Sequence, residues 1–406
     1  MSCQTNHENK KISDLIQVIK LNIDHDVRKH DIMFEWISYD QFNDIKEIGK
    51  GGFSTVYSAI WKDGLLSYGF KYIKSEWKRE SNTKVALKCL NNSQNFLDEF
   101  INEVKAYLNQ KMDNILKIYG ISQSPTTKDY IMVLEYAEGG DFNSYLNKKY
   151  EVFDWFNGLS VLTNTIKGLN KIHQKQMVHR DFHIGNILFT KLTKFDQYHN
   201  VNNESIDYVA CISDMGLCKK IDDINETSIY GVMPYVAPEV LKGKPYTQAA
   251  DIYSFGMIMY VIATGRQPFA DCAHDGVLAL KICNGIRPGI NNKIAPKCYI
   301  DLMKKCWDSN PDNRPNSIEL KEFIDRFYNS LNQKFNKKEQ IHHETEIQFN
   351  ETQEYRKENF LSIKNNQLTT HTQAIYTSRL LNSFTKDLPK YEDNFNNTVE
   401  ITDFTK

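Results

Sequence analysis

Two short stretches carry residues able to do chemistry together. Val178–Leu188 reads VHRDFHIGNIL, and Ser213–Leu217 reads SDMGL. Asp181 can take a proton, while Asn186, five positions on, and Asp214 offer hard oxygen donors suited to a divalent cation. A base, a metal-binding amide and a metal-binding carboxylate in that order are what phosphoryl transfer from a metal–nucleotide needs. Upstream, Ile48–Ala59 reads IGKGGFSTVYSA. Its glycines would let backbone amides approach phosphates closely, although such a turn taken alone suits an ordinary hairpin equally well. No GxxxxGK[ST] occurs, which argues against a P-loop NTPase.

These groups need elements to hold them. Strand-like Ile45–Ile48 and Val56–Ile60 flank the glycine turn, predicting a hairpin lid. Lys88 ends the strand-like run KVALK; by itself it reads as a surface lysine at a strand end. Glu103 lies on a helical pattern of Phe96, Phe100, Val104 and Tyr107, with Glu99 one turn earlier on a similar face. Short strand-like runs fill Trp36 to about Lys117. After Gly139-Gly140 the pattern turns helical over Phe153–Ile172, Ala249–Ala263, Val277–Cys283 and Tyr299–Trp307.

The chain has 406 residues, net charge −1, 41% hydrophobic and 25% charged residues, so no bulk attraction to nucleic acid or anionic membrane is expected. Its eight cysteines are scattered without a CxxC pair, and the polar start MSCQTNHENKK lacks a secretory pattern. No apolar stretch approaches the ~20 residues of a membrane span. A soluble, cytoplasmic protein with reduced thiols is expected, with nuclear access open.

Read together with Gly49–Val56, Lys88 and Ala237-Pro238-Glu239, the two opening stretches resemble the eukaryotic protein kinase family over about residues 42–330. The resemblance implies an α+β bilobal fold: a small antiparallel-sheet N-lobe with one helix (42–137) and a larger, mainly helical C-lobe (138–330). It implies ATP and Mg2+, with a protein as phosphate acceptor. Ile48, Gly49, Lys50, Gly51, Gly52, Phe53, Ser54, Thr55 and Val56 would cover the nucleotide. Lys88, paired with Glu103, would hold its phosphates. In Tyr130–Phe142, Leu134 would be the gatekeeper, and Glu135, Tyr136 and Ala137 the hinge that meets adenine. Asp181 would be the base, Asn186 and Asp214 the metal ligands, and His179 a packing residue. Asp251 would anchor the catalytic loop, and Arg314 would pair with Glu239 where the activation segment closes. The CW…P..RP ending of Cys306–Pro315 resembles the tyrosine kinase-like and tyrosine kinase branches, and Tyr235 resembles serine/threonine kinases; together they imply a tyrosine kinase-like enzyme acting on Ser/Thr, with Tyr left open as acceptor.

The sequence departs from the family pattern in several places. His183 stands where serine/threonine kinases carry lysine, and Val232 where they carry threonine. His183 still offers a donor. The two losses keep open a second reading, a pseudokinase that binds ATP or partners without efficient transfer. Met215 replaces the phenylalanine of DFG. Lys88 lies 39 positions after Gly49, and Asp214 33 after Asp181, both longer than usual. Residues 63–82 and Lys191–Ser205 are therefore read as insertions. Arg180 would meet a phosphate placed on Thr227, Ser228 or Tyr230.

Outside the kinase-like region, residues 1–35 form a polar extension with one apolar patch at helical spacing (Ile12, Leu15, Ile16, Ile19). Residues 334–406 are rich in Asn, Gln, Lys, Glu and Thr, and their sparse apolar content predicts a mostly disordered tail. Either end is a candidate docking segment.

Overall fold

The computed structural model describes residues 9–24, 32–51, 54–71, 74–108, 114–149, 154–192, 208–221, 228–332, 340–359, 370–386 and 388. Its first element, α1 (Lys10–Asp24), buries the predicted stripe: Ile12, Leu15, Ile16 and Ile19 join the apolar cluster that holds Phe34, Phe100 and Val104. Lys11 Nζ reaches Asp98 at 2.7 Å, an exposed contact worth little by itself.

The N-terminal sheet contains β1 (Glu35–Trp36), β2 (Phe42–Lys50), β3 (Ser54–Trp61), β6 (Thr83–Leu90), β7 (Ile118–Gln123) and β8 (Tyr130–Glu135), ordered β1-β7-β8-β6-β3-β2. All its pairings are antiparallel except β1 with β7. The predicted insertion at 63–82 is itself a hairpin, β4 (Leu65–Lys71) with β5 (Lys74–Glu80). Arg79 clamps it to the sheet, donating to both Glu35 carboxylate oxygens at 2.6 and 2.8 Å and lying over Trp61. One helix, α2 (Leu97–Leu108), packs on the sheet through Phe100, Val104 and Tyr107, with Glu103 on the same buried face.

The second lobe begins with β9 (Gly140–Asp141) and α3 (Phe142–Lys149), then α4 (Trp155–Gln174), capped where Asp154 accepts the Asn157 N–H at 2.8 Å. Short strands follow: β10 (Met177–Val178), β11 (Ile187–Lys191), β12 (Tyr208–Ile212), β13 (Lys219–Lys220) and β14 (Tyr230–Gly231). Strands β11 and β12 pair antiparallel, which brings Asn186 and Ser213 to one end of the ladder. Most of the insertion read at Lys191–Ser205 lies outside the described residues. A short α5 (Pro238–Leu241) precedes α6 (Gln248–Thr264), which is buried on nearly every face and therefore lacks an amphipathic stripe. Then come α7 (Gly276–Cys283), α8 (Lys297–Cys306) and α9 (Ser317–Leu331), the last begun by a capping box between Asn316 and Glu319.

The tail departs from the predicted disorder. Residues Gln340–Glu358 form α10, and Phe349 is fully buried among Trp155, Tyr299 and Phe327 at ring distances of 5.2, 6.4 and 5.5 Å. Its glutamines also serve other helices: Gln353 accepts the Trp155 N–H and Gln348 the Cys298 N–H, two donors that helix starts leave unpaired. Farther on, β15 (Arg379–Leu380) and α11 (Asn382–Thr385) lie against the second lobe. Low apolar density misleads here because the tail fills pockets of an already folded lobe and needs no core of its own. Residues 360–369, which fall within the predicted tail, lie outside the described residues.

Candidate active site

Lys88 sits on β6 between β3 and β8, so its ammonium enters the interlobe cleft from the middle of the sheet. Its Nζ donates to Glu103 Oε1 and to Asp214 Oδ1, both at 2.7 Å. The alternative Glu99 is not the partner. Burial opposes the ammonium charge, yet the two carboxylates hold the Lys88 pKa well above the ordinary lysine range. Burial pushes Glu103 up, against the pull of Lys88. For Asp214, burial also acts upward, but the charge and hydrogen bond of Lys88 and the Gly216 N–H hold the carboxyl below its usual range.

Asp214 adopts a left-handed backbone, φ 55°. Its N–H donates to the Tyr107 hydroxyl at 2.9 Å, one helical turn beyond Glu103 on α2. Helix α2 therefore grips Asp214 twice, through Lys88–Glu103 and through Tyr107. Met215 is fully buried, filling the apolar site expected of it.

Asp181 lies on the turn after β10. Arg180, just before it, has φ 72°, and both flanking amides are tied to one carboxylate: His179 N–H and Arg180 N–H donate to Asp251 Oδ2 and Oδ1 at 2.8 and 3.0 Å. His173 Nε2 meets Asp251 Oδ2 at 2.9 Å. The His179 ring contacts Ser213 O at 3.2 Å, joining this turn to the strand end that carries Asp214. Asn186 Nδ2 donates to the Asp181 carbonyl at 2.8 Å. Asp181 Oδ1 is buried and makes no hydrogen bond among the described residues, which leaves one acceptor of the proposed base without a partner.

His183 keeps a donor where lysine was expected. Its Nδ1 accepts the Gly185 N–H at 3.1 Å, so the neutral ring carries its proton on Nε2, 3.6 Å from Asp181 Oδ1. Val232 is buried and apolar, and provides no polar bridge to this group.

Farther out, Glu239 and Arg314 form the expected pair, two parallel bonds of 2.7 and 2.8 Å with both side chains almost wholly buried. Arg180 lies over Tyr246 and donates to Leu217 O. Tyr230 pairs with Leu380, and Thr227 lies outside the described residues.

On the nucleotide side, Ile48, Gly49 and Lys50 end β2, with Gly49 opposite Val56 and Lys50 opposite Thr55; Ser54 begins β3. Gly51 N–H donates to Ser54 O at 2.8 Å, closing the turn. Gly52 and Phe53 lie outside the described residues. A Cβ at Gly49 would meet nothing within 4 Å, so packing within the protein does not demand glycine there. Leu134 is buried on β8, Glu135 ends that strand opposite Val85, and Ala137 accepts the Gly140 N–H at 3.0 Å.

Among the described residues no cluster of three or more His, Cys, Asp or Glu side chains is arranged to hold a metal. Asn186 and Asp214 nevertheless fit magnesium, which takes few protein oxygens and keeps waters and phosphate oxygens for the rest. No helix among the described residues is long and apolar enough to cross a membrane.

The sequence model for protein tyrosine and serine/threonine kinases matches residues 42–324. The probable serine/threonine-protein kinase roco8 of Dictyostelium discoideum is 34% identical over 247 residues, covering 58% of this chain and 12% of that protein. The serine/threonine-protein kinase VIK of Arabidopsis thaliana is 26% identical over 305 residues, covering 71% of this chain and 61% of that protein. The dual specificity protein kinase splA of D. discoideum is 27% identical over 305 residues, 73% of this chain and 12% of that protein. The chain thus spans less than two thirds of the length of each.

Proposed function

The chain belongs to the protein tyrosine and serine/threonine kinase family, and on that premise we propose that it is an active, ATP-dependent protein kinase directed at Ser/Thr hydroxyls, working in the cytoplasm. The observation that carries this reading is Lys88, bridging Glu103 and Asp214 at 2.7 Å each while Asp181 Oδ1 stands buried and unbonded. The full set of Lys88, Glu103, Asp181, Asn186 and Asp214 is kept, which supports transfer over nucleotide binding alone.

In this reading, Gly49–Val56 and Lys88 bind the nucleotide phosphates, and Glu135 and Ala137 lie where adenine's edge would be met. Magnesium, when bound, would be held by Asn186 and Asp214 and would offset charge on the phosphoryl oxygens. Asp181 Oδ1 accepts the proton of the attacking hydroxyl as its oxygen bonds to the γ-phosphorus and the bond to ADP breaks. His183, with Nε2 3.6 Å from Asp181 Oδ1, supplies a donor at that edge of the site. That geometry favours activity despite the missing lysine. The similarity to serine/threonine and dual specificity kinases supports the Ser/Thr preference.

The test is transfer of labelled γ-phosphate to the chain and to a generic Ser/Thr peptide, with and without magnesium. Wild type should label and Asp181→Asn should lose about 10²–10⁴-fold while still binding ATP. Equal labelling by the two proteins would remove Asp181 as base. Absence of labelling by folded, ATP-binding wild type would remove the active-kinase reading.

A further inference from the structure

The chain's own tail lies beside Asp181. Arg379 and Leu380 of β15 pair antiparallel with Gly231 and Tyr230 of β14. The ladder continues where the Leu381 N–H donates to Ile229 O at 2.7 Å and the Ile229 N–H donates to Asn382 Oδ1 at 2.8 Å. Leu381 is fully buried. On the opposite side, His274 gathers the tail: its N–H donates to Gln373 O, its Nδ1 accepts the Ile375 N–H at 3.1 Å, and its carbonyl accepts Arg379 Nη2 at 2.6 Å. The Tyr376 hydroxyl donates to Pro268 O at 3.0 Å, and its ring stands edge-on to His274.

The tail strand runs beside the residues that flank Asp181. Gly231 has φ 142°, and a Cβ there would lie 2.9 Å from Val236 and 3.6 Å from Asp181 Oδ1, so the position demands glycine and touches the base. One strand spacing, about 4.7–5.5 Å, separates that residue from the tail backbone at Arg379. Tyr376 also walls a cleft of about 150 Å³ together with Asp141, His183, Tyr235 and Gln267. Tyr376–Arg379 therefore run from the wall of that cleft to Gly231, next to Asp181. Arg379 turns toward His274 and Phe384, so strand alternation puts Ser378 and Leu380 on the other face.

Resting on the kinase reading, we propose that residues 371–385 are an internal occupant of the peptide-acceptor groove, which protein substrates must displace. The occupant shows what the groove takes: an extended segment with a half-buried arginine at Arg379 and a fully buried apolar residue, Leu381, two positions later. Main-chain bonds to Ile229–Gly231 supply affinity, and the sites filled by Arg379 and Leu381 supply selectivity. Tethering adds an effective concentration of order mM, so even weak docking keeps the groove filled.

The experiment compares the full-length wild type with Leu381→Asp, following amide exchange at Ile229 and Leu381 and steady-state kinetics on a generic Ser/Thr peptide. Faster exchange at both amides, a KM lowered about tenfold and an unchanged kcat are expected, the factor following from mM tethering against a docking constant of about 0.1 mM. A synthetic 371–385 peptide added to Leu381→Asp should then compete with the generic peptide. If Leu381→Asp does not fold, the half-buried Arg379→Ala is measured in the same way. Faster exchange with turnover present but KM unchanged would overturn the proposal and leave the kinase reading standing. No turnover in the wild type or in a released variant would remove both.

Discussion

His183 Nε2 lies 3.6 Å from Asp181 Oδ1, while the Gly185 N–H occupies the other ring nitrogen. The donor nitrogen is thus fixed by the backbone. His183→Ala should lower kcat about tenfold, less than the ~10²–10³ lost with a fully engaged donor. His183→Gln, which keeps a neutral N–H, should lose less. Equal losses in the two variants, read from kcat, would mean that the ring acts through its shape.

Lys88→Met would leave Glu103 and Asp214 facing each other without their cation. Breaking a buried pair costs about 3–5 kcal/mol. The loss should fall toward the lower end here because the Asp214 side chain is 44% exposed. Adding Glu103→Gln should recover part of the loss in urea unfolding, and a strictly additive double variant would contradict the shared-cation arrangement.

Arg314→Leu strands Glu239 in the interior and removes bonds to Asp308 O and Ala249 O as well. A loss of about 3–5 kcal/mol is expected. Glu239→Gln, which retains an acceptor for the guanidinium, should cost less. Chemical denaturation ranks the two, and the reverse order would be inconsistent with the buried bidentate pair.

Phe349→Ala tests whether the tail helix belongs to the folded lobe. Emptying a site walled by Trp155, Tyr299 and Phe327 should cost about 3–5 kcal/mol. An unchanged melting temperature would mean that α10 adds nothing to the lobe beneath it.

Burial holds the His274 pKa below its ordinary range, against the contacts of its ring nitrogens with the Ile375 and Phe269 carbonyls and with Arg379 and His371 adding in the same direction. Asp271, Asp275 and Tyr376 are its other titratable neighbours. A lowered folded value means that the unfolded chain binds the proton first. The stability due to neutral His274 is therefore full above the unfolded value, about 6.5, and is lost as pH falls through the folded one. The difference in stability between the wild type and His274→Gln should shrink on acidification through that window. A constant difference would exclude the linkage.

Local motifs made much of the site legible. Lys88, Asp181, Asn186 and Asp214 each sit in a run whose neighbours set both element and role; Glu99 shares a similar helical face with Glu103, and only the NIL run at Asn114–Leu116 distinguishes the two. Asp251 and the Glu239–Arg314 pair were legible for the same reason. Tyr107 was readable only as part of an apolar stripe, because nothing local indicates that its hydroxyl meets an amide 107 positions away. His173, Gln348 and Gln353 are similar: single polar residues carry no periodic signature, and their partners are distant in sequence. The order of Gln340–Glu358 and Arg379–Thr385 comes from pockets formed by other residues, which their own composition does not encode.

Asp251 has consequences for motion. Its carboxylate, almost completely buried in the first turn of α6, fastens the His179 and Arg180 amides and touches His173. The turn that carries Asp181 cannot swing without tearing those bonds from the core of the lobe. Amides 179 and 180 should accordingly exchange with solvent only through global unfolding. Any switching between resting and working states then falls to the parts around that turn, namely α2, the glycine hairpin and the tail strand, while the base itself stays still.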